Sequence, residues 1–281
     1  MRKYLVISIA ILALGVCSCR RGAETPEEVR YSIREDVVFT ASATGYLTKA
    51  SDSALEDGDA MGIFALDPIN AVNVKGTVKG RDVTTAVPVK WELNQTKISR
   101  FAAYMPYREN LGEEDLSFSV SPDQVSYEGY AASDLRYAVT DARPGNPVDL
   151  IFQHALCKLV VVMEVPDVEV ESVVTGEVAT GGTLNLVDGN FVPGAEKGTV
   201  SLGPAVQANG GIGHTAILVP QEGSFPLKVT LKGGTVIDAV MESPSSFLPG
   251  IAYKATVALT GTFKVGVTDW DDDGVIPYIN K

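Results

Sequence analysis

DLIFQHALCKLVVVMEV, residues 149–165, is the longest apolar run of the chain outside its N-terminal leader. Leu159 and the valines at 160–162 favour a strand over a helix, because β-branched side chains pack well on a pleated surface. A run of this kind, apolar on both faces, indicates a strand buried in the core of a sandwich. We therefore expect the run to be a central strand, with the polar pair Gln153 and His154 at its entrance.

The composition is that of an acidic, β-rich globular protein. Its 281 residues are 45% hydrophobic and 21% charged, and the formal net charge is −12. No basic patch is present, which argues against nucleic acid and anionic lipid surfaces as partners. Short alternating segments separated by Gly and Pro predict an all-β fold. About seven strands fall on each side of residue 148, which favours two small sandwiches, because strongly twisted sheets rarely exceed about ten strands.

The breaker ARPGNP, residues 142–147, separates the two predicted units. Pro and Gly at this density stop a strand and mark a connection. The predicted organisation is a signal peptide at residues 1–18, a tether at 19–35, an N-terminal β-sandwich at 36–148 and a C-terminal β-sandwich at 149–281.

The N-terminus has the organisation of an export signal. Two basic residues precede the apolar segment Leu5–Val16, which is shorter than a membrane-spanning helix requires. A cysteine then closes the segment, as in a bacterial lipobox. Cys19 follows the small Ser18 and fits the lipidated position better than Cys17, although the Cys-x-Cys doublet leaves both registers open. Acyl chains on Cys19 would anchor the protein to a membrane, and an ordinary secreted protein is the alternative.

Eight short motifs occur in a fixed order along nearly the whole mature chain. They are VVFTA at 37–41, LTKA at 47–50, GDxMGIF at 58–64, FAAYMPY at 101–107, SDL at 133–135, LxFxHAxxKL at 150–159, PGxxY at 249–253 and Trp270. In this order, and together with Cys19, they resemble the fimbrillin (Mfa/FimA-like) family of Bacteroidales lipoproteins. The resemblance implies two tandem transthyretin-like Greek-key β-sandwich domains.

The same resemblance implies a subunit of a pilus, or fimbria, or one of its minor, anchor or tip components. Such a protein would be lipid-anchored at the cell outer membrane and would support adhesion. Its partners would be other fimbrillin-like subunits, the membrane itself, and host or bacterial surface ligands. The residues after Cys19 are Arg20, Arg21 and Gly22, and they differ from the acidic run of surface-exported lipoproteins. The inner and the outer face of the outer membrane are therefore both candidate locations.

In polymerising members of that family, a trypsin-like protease cuts after a basic residue and removes the first strand. The groove left behind accepts a strand from the next subunit, which pairs the exposed backbone groups again. Lys49 and Arg34 are the candidate cleavage positions. A cut at Lys49, directly after the first strand, would release that strand, whereas a cut at Arg34 would only trim the tether. An uncut protein would remain a lipid-anchored surface protein or a pilus anchor.

The residues indicate no catalytic site, no metal site and no cofactor. The histidines, His154 and His214, lack a nucleophile or a further ligand at a suitable spacing. We interpret His154 and Cys157 as packing residues. Asp269-x-Asp271-x-Asp273 resembles the start of a calcium loop, but Asn280 occupies the position of the bidentate Glu. A solvated acidic turn before the last strand is the alternative.

Three classes of function are compatible with these features. The leading hypothesis is a fimbrial subunit that assembles by β-strand exchange. The second is a surface lipoprotein that binds carbohydrate or protein and never polymerises. The third is an enzyme such as a glycosidase, which needs paired carboxylates at facing strand ends, whereas this sequence places its acids mostly in loops and turns.

Overall fold

The computed structural model of the protein describes residues 34–44, 55–112, 115–165, 168–207, 210–241, 245–273 and 275–277. The predicted lipidation site, Cys19, and the predicted cleavage site, Lys49, lie outside these residues, whereas Arg34 lies within them. Strands dominate the described residues. The prediction of an all-β chain is confirmed.

The elements follow one another as short strands joined by turns. Up to residue 154 they are β1 Phe39–Ala43, β2 Ala60–Ala65, β3 Ala71–Lys79, β4 Asp82–Thr85, β5 Ser99–Met105, β6 Asp115–Ser119, α1 Tyr127–Ser133, β7 Arg136–Ala142 and β8 Val148–His154. They continue with β9 Cys157–Met163, β10 Val170–Thr175, β11 Val178–Ala179, β12 Gly181–Asn185, β13 Phe191–Pro193, β14 Lys197–Gly198, β15 Gly203–Gln207 and β16 Ile212–Leu218. The last are β17 Gln221–Glu222, β18 Phe225–Leu231, β19 Val236–Met241, β20 Ser246–Phe247, β21 Ile251–Val257, β22 Phe263–Asp269, a 3-10 helix Trp270–Asp272 and β23 Val275–Pro277.

The first part of the chain closes into a seven-stranded barrel in the order β1-β4-β3-β2-β5-β7-β8. β1 closes it, because β1 pairs with β4 on one side and with β8 on the other. Along β8, Val148, Leu150 and Phe152 are buried and alternate with more exposed residues, as the twofold period of a strand requires. They share one apolar cluster with Phe101 of β5.

The apolar run at residues 149–165 forms two strands rather than one. β8 lies in the barrel and β9 in another sheet, with Ala155 and Leu156 between them. Both residues form backbone hydrogen bonds with residues outside the run. The Ala155 N–H donates to the Leu135 carbonyl at 2.9 Å, and the Leu156 carbonyl accepts from the Gly250 N–H at 2.8 Å. The run therefore changes sheets here, which periodicity does not reveal because both strands are apolar.

β9 is an interior strand of a six-stranded sheet with the order β22-β21-β9-β16-β15-β23. It pairs antiparallel with β16 and parallel with β21. Leu159 and Val161 belong to the main apolar core, whereas Val160 and Val162 cluster with Val275 of β23. Both faces of β9 are thus covered, and the prediction of a strand buried on both faces is confirmed for this part of the run.

One strand from before residue 148 joins the later part of the chain. β6 pairs antiparallel with β12 over five residues, from Asp115↔Asn185 to Ser119↔Gly181. The following loop is also attached there, because the Gln124 side chain donates to the Ile217 carbonyl and accepts from the Ile217 N–H, both at 2.8 Å. Residues 115–135 consequently contribute to the later core.

α1 begins after this loop, with the Ser126 hydroxyl accepting from the Gly129 N–H at 3.1 Å as an N-cap. It is a single short segment of seven residues. Within the described ranges, no helix is long and apolar enough to cross a membrane.

The division of the chain into two tandem sandwiches stays a prediction. The expected boundary between residues 148 and 149 falls inside β8, which is a barrel strand, and β6 contributes to a sheet of the later part. The strands of the first part close on themselves, because β1 connects two edges that a sandwich would leave open. In the later part, the six-stranded sheet and the sheet β10-β18-β19 share one apolar core.

Candidate functional site

The first strand and its two neighbours, β4 and β8, form what we term the β1 seam. β1 pairs antiparallel with β4 at two residues, Phe39↔Val83 and Thr40↔Asp82. It pairs in parallel with β8 at five residues, from Phe39↔Val148 to Ala43↔Phe152. Parallel ladders are slightly less stable per residue than antiparallel ones. The barrel is therefore closed by a short strand whose longer ladder is of the weaker kind.

Backbone bonds of the seam extend beyond β1 at both ends. Before β1, the Val37 N–H donates to the Val89 carbonyl at 2.7 Å, and the Glu35 carbonyl accepts from the Trp91 N–H at 3.0 Å. After β1, the Thr44 N–H donates to the Phe152 carbonyl at 3.0 Å. The paired segment thus runs from residue 35 to residue 44.

The inward side of this segment is apolar. Val37, Phe39 and Ala41 are buried, as every second residue of a strand that faces a core should be. The Phe39 ring meets the Phe101 ring edge-on with 5.6 Å between centroids, and the Trp91 ring meets Phe101 in the same way at 5.5 Å. Withdrawal of β1 would therefore uncover an apolar groove and leave backbone groups of β4 and β8 unpaired.

The outward side of the segment carries polar contacts near solvent. The Thr40 hydroxyl donates to Asp149 at 3.0 Å, Lys90 pairs with Asp36 at 2.9 Å, and Arg34 pairs with Glu92 at 2.8 Å. Exposed ion pairs contribute about 0–1 kcal/mol each. Burial and backbone pairing, rather than these surface contacts, hold β1 in place.

Arg34 lies immediately before the paired segment, and its side chain is more than half exposed. A cut after Arg34 would leave residues 35–44 bonded in the barrel, and cleavage at Arg34 stays a prediction. Lys49 and Cys19 lie outside the described residues, so their roles stay predictions.

A second feature, which we term the His154 cluster, consists of Asp134, Arg136, His154, Trp270 and Asp271. Nδ1 of His154 lies 2.7 Å from a carboxylate oxygen of Asp134, and Nε2 lies 3.6 Å from one of Asp271. Nε of Arg136 donates to the other Asp134 oxygen at 2.7 Å. The His154 and Trp270 rings are stacked, with 3.8 Å between centroids and 3° between planes.

An ion pair next to this cluster joins β9 to the C-terminal residues. Nζ of Lys158 lies 2.9 Å from a carboxylate oxygen of Asp273 and donates to the Val275 carbonyl at 3.3 Å. The ammonium also lies 5.8 Å from the centre of the Trp270 ring. Lys158 is fully buried. A buried ammonium of this kind depends on its partner, because an unpaired charge in a core is strongly destabilising.

Burial and neighbouring charges act in opposite directions on the pKa values of the cluster. Burial raises the pKa of Asp134, but Arg136 and His154 hold that pKa well below its usual range. Burial lowers the pKa of His154, but hydrogen bonding and charge from Asp134, with help from Asp271, raise it above its ordinary value. The folded protein thus favours the imidazolium form of His154 beside two carboxylates.

The geometry refines what the sequence indicated for these residues. His154 packs as expected, although on Trp270 and between acids. Asp271 lies beside His154, and Asp273 lies beside Lys158, so these two carboxylates do not surround a common cation position. Among the described residues, no group of three or more His, Cys, Asp and Glu side chains is arranged to hold a metal ion.

Sequence reasoning missed the ion pairs, although their signal was present. Asp134, His154, Lys158 and Trp270 all lie within the motifs that carry the family resemblance. Charged residues inside otherwise apolar motifs indicate buried partners, because unpaired charges are rarely tolerated in a core. Cys157 is buried and free, and burial raises the pKa of its thiol.

Comparison with known proteins gives a consistent match. The pattern of the fimbrillin-like family matches residues 48–270 of the chain. A Bacteroides ovatus protein named as a fimbrium tip subunit, Fim1C, is 25% identical over 195 residues, which are 59% of this chain and 36% of that protein. The chain thus spans about a third of the length of this relative.

Solved structures of Bacteroides proteins share the fold. A protein from Bacteroides uniformis described as a cell adhesion protein superposes with a TM-score of 0.66 at 21% identity, covering 84% of this chain and 99% of that one. Another protein so described, from Bacteroides ovatus, superposes with a TM-score of 0.67 at 17% identity, covering 89% and 99%. At these identities, the likeness is one of fold.

Proposed function

This chain belongs to the fimbrillin-like family, and from that membership we propose that it is a lipid-anchored component of a fimbria at the outer membrane. It assembles with other fimbrillin-like subunits by strand exchange and supports adhesion to host or bacterial surfaces. Cys19 carries the lipid, and a trypsin-like protease acts after Lys49.

The single observation that carries this proposal is the β1 seam. Its strand is short, apolar on the inward side and paired over most of its length by a parallel ladder. Loss of this strand uncovers Phe101 and Trp91 and unpairs the edges of β4 and β8. Another extended segment with apolar residues at alternate positions would cover the groove and pair these backbone groups again, which is the physical basis of strand addition.

The relatives support a fimbrial role of this kind. The Bacteroides ovatus relative is named as a tip subunit, and this name favours a tip or other minor position over the shaft. The transfer is part of the proposal, because this chain spans 36% of that protein.

The experiment is limited digestion of the mature protein with a trypsin-like protease. We expect a cut after Lys49, a new N-terminus at Ala50, separation of the β1 fragment, and a ladder of assembled species on a denaturing gel. Lys49→Ala should abolish the cut and the ladder, and Arg34→Ala should leave both intact. Lys97→Ala is the matched control, since Lys97 is an exposed lysine in the connection before β5.

Other results would change the assignment. A protein that is cut after Lys49 but stays monomeric would favour the surface lipoprotein that binds carbohydrate or protein. A protein that keeps β1 and forms the ladder after the Lys49→Ala substitution would rule out removal of the first strand as the trigger.

A further inference from the structure

The His154 cluster connects parts of the fold that are distant in the chain. Asp134 follows α1, Arg136 begins β7, and His154 ends β8. Trp270 and Asp271 belong to the 3-10 helix that follows β22. The barrel and the end of the chain therefore meet at one group of charges and one pair of stacked rings.

These contacts, like the neighbouring Lys158–Asp273 pair, are far more buried than the surface ion pairs of the described residues. The side chains of His154, Asp134 and Asp271 are 3%, 12% and 14% exposed. Lys232 and Glu169, in contrast, are 71% and 70% exposed. Charges that are largely excluded from water interact more strongly and are screened less by salt. The cluster is thus able to contribute to stability, whereas the surface pairs contribute little.

Among the residues that the structure describes, the segment that the cluster holds has few other attachments through its backbone, one of them the bond from Lys158 to the Val275 carbonyl. We term the 3-10 helix and β23 together the C-terminal segment. β23 pairs with β15 at three residues, from Val275↔Gln207 to Pro277↔Ala205. The Trp270 N–H donates to the Gly250 carbonyl at 2.9 Å. This segment covers Val160 and Val162 on β9 through Val275, so its release would expose apolar surface of the later sheet.

We propose that the His154 cluster is a pH-dependent latch that closes the C-terminal segment over β9 while His154 is protonated and loosens it when His154 loses its proton. The imidazolium ring bridges Asp134 on the barrel side and Asp271 on the segment, and it stacks on Trp270. A neutral ring keeps the stacking but loses one of its two charge-assisted contacts, because a neutral imidazole donates from only one nitrogen.

The charged groups around His154 determine the direction of the pH effect. Asp134 and Asp271 face its two nitrogens and stabilise the imidazolium, and Arg136, which reaches Asp134 from β7, opposes it. The Lys158–Asp273 pair lies beyond Trp270. Because the net effect raises the pKa of His154, the latch contributes fully below the ordinary histidine pKa and is lost as the pH rises through the raised value. Asp134, with its lowered pKa, stays ionised far into the acid range.

Two pairs of residues make the test specific, because the chain has two tryptophans and two histidines. In a Trp91→Phe protein, Trp270 is the remaining tryptophan, and a protonated imidazole stacked on an indole quenches its fluorescence. We expect Trp270 fluorescence to rise with pH, with a midpoint above the ordinary histidine pKa. Hydrogen exchange of the Trp270 and Val275 amides, corrected for the intrinsic rate, should become severalfold faster above the same midpoint.

Substitutions at the two histidines test whether His154 is the group that causes the fluorescence transition. His154→Gln in the Trp91→Phe background should abolish the fluorescence transition, and His214→Gln should leave it unchanged. If His154→Gln fails to fold, the His214→Gln protein has one histidine, whose NMR titration reports His154 directly. A midpoint at or below the ordinary value, or amide exchange of the segment that ignores the transition, would overturn the proposal.

Discussion

At the scale of single residues, the protein places charge where its sequence is most apolar. Lys158 is fully buried on β9 with its Nζ 2.9 Å from Asp273. His154 ends an alternating barrel strand and faces two carboxylates. Such pairs cost free energy to desolvate, and loss of one partner leaves the other uncompensated. His154 lies where the barrel meets the C-terminal segment, and Lys158 lies where β9 meets the same segment.

Substitution of Lys158 by Met should destabilise the protein by about 3–5 kcal/mol, because the Asp273 carboxylate would remain buried without its cation. The measurement is chemical unfolding at neutral pH. Lys232→Met is the matched control, since Lys232 pairs with Glu169 at an exposed position, and its effect should stay within about 0.5 kcal/mol.

A double substitution decides whether the pair or the packing is responsible. Lys158→Met with Asp273→Asn should recover part of the lost stability, because the uncompensated charge is then removed. A double variant as unstable as the sum of both single variants would show that the two side chains act independently.

At the scale of elements, β1 and β9 differ in how firmly their neighbours hold them. β9 is fixed by two neighbours over most of its length and is buried on both faces. β1 is short, and only one of its faces is buried. Its hold on the barrel depends on a few inward side chains, of which Phe39 is the largest.

Phe39→Ala should therefore weaken the barrel by about 3–5 kcal/mol, the usual cost of truncating a buried Phe. The exposed neighbour Val38 provides the control, since Val38→Ala should change the free energy of unfolding by less than about 0.5 kcal/mol. Thermal and chemical unfolding would both report the change. Equal effects of the two substitutions would contradict the assignment of Phe39 to the inward face.

The same elements show how far sequence reasoning extends. The valines of β9 predict a strand directly, because β-branched side chains favour a pleated surface, whereas the break between β8 and β9 was not predicted. The pairing of β6 with β12 leaves no local trace, since it joins residues far apart in the chain. The ion pairs of His154 and Lys158 also join residues far apart in the chain, so the charged residues inside the apolar motifs indicate that partners exist but not which residues they are. The seam around β1 was anticipated through the family resemblance, and its register and neighbours came from the structure.

At the scale of the whole molecule, one chain combines a closed barrel with several further sheets. One of these, β13-β12-β6, contains β6 from the preceding half of the chain. The two parts are joined by a direct covalent connection at Ala155 and Leu156, by β6 and by the His154 cluster. This number of connections favours mechanical continuity between the parts, which suits the proposed role in a fimbria.

The proposed lipid attachment at Cys19 predicts a clear change in cell fractionation. Cys19→Ser should move the protein from the membrane fraction to the soluble fraction, because the acyl chains supply the membrane affinity. Cys17→Ser should leave the protein with the membrane, and intact-mass analysis should find lipid on its N-terminal cysteine. The reverse pattern would place the lipid on Cys17.

The pairing of β1 has a consequence for the direction in which a fibre would grow by the proposed strand exchange. β1 runs antiparallel to β4 and parallel to β8. A strand that refills this slot forms one ladder of each kind whichever way it points, so backbone hydrogen bonding alone does not select its polarity. That selection rests on the order of side-chain sizes along the slot, where Val37, Phe39 and Ala41 lie in sequence. In the proposed assembly by strand exchange, the head-to-tail sense would then be encoded in shape rather than in hydrogen bonds.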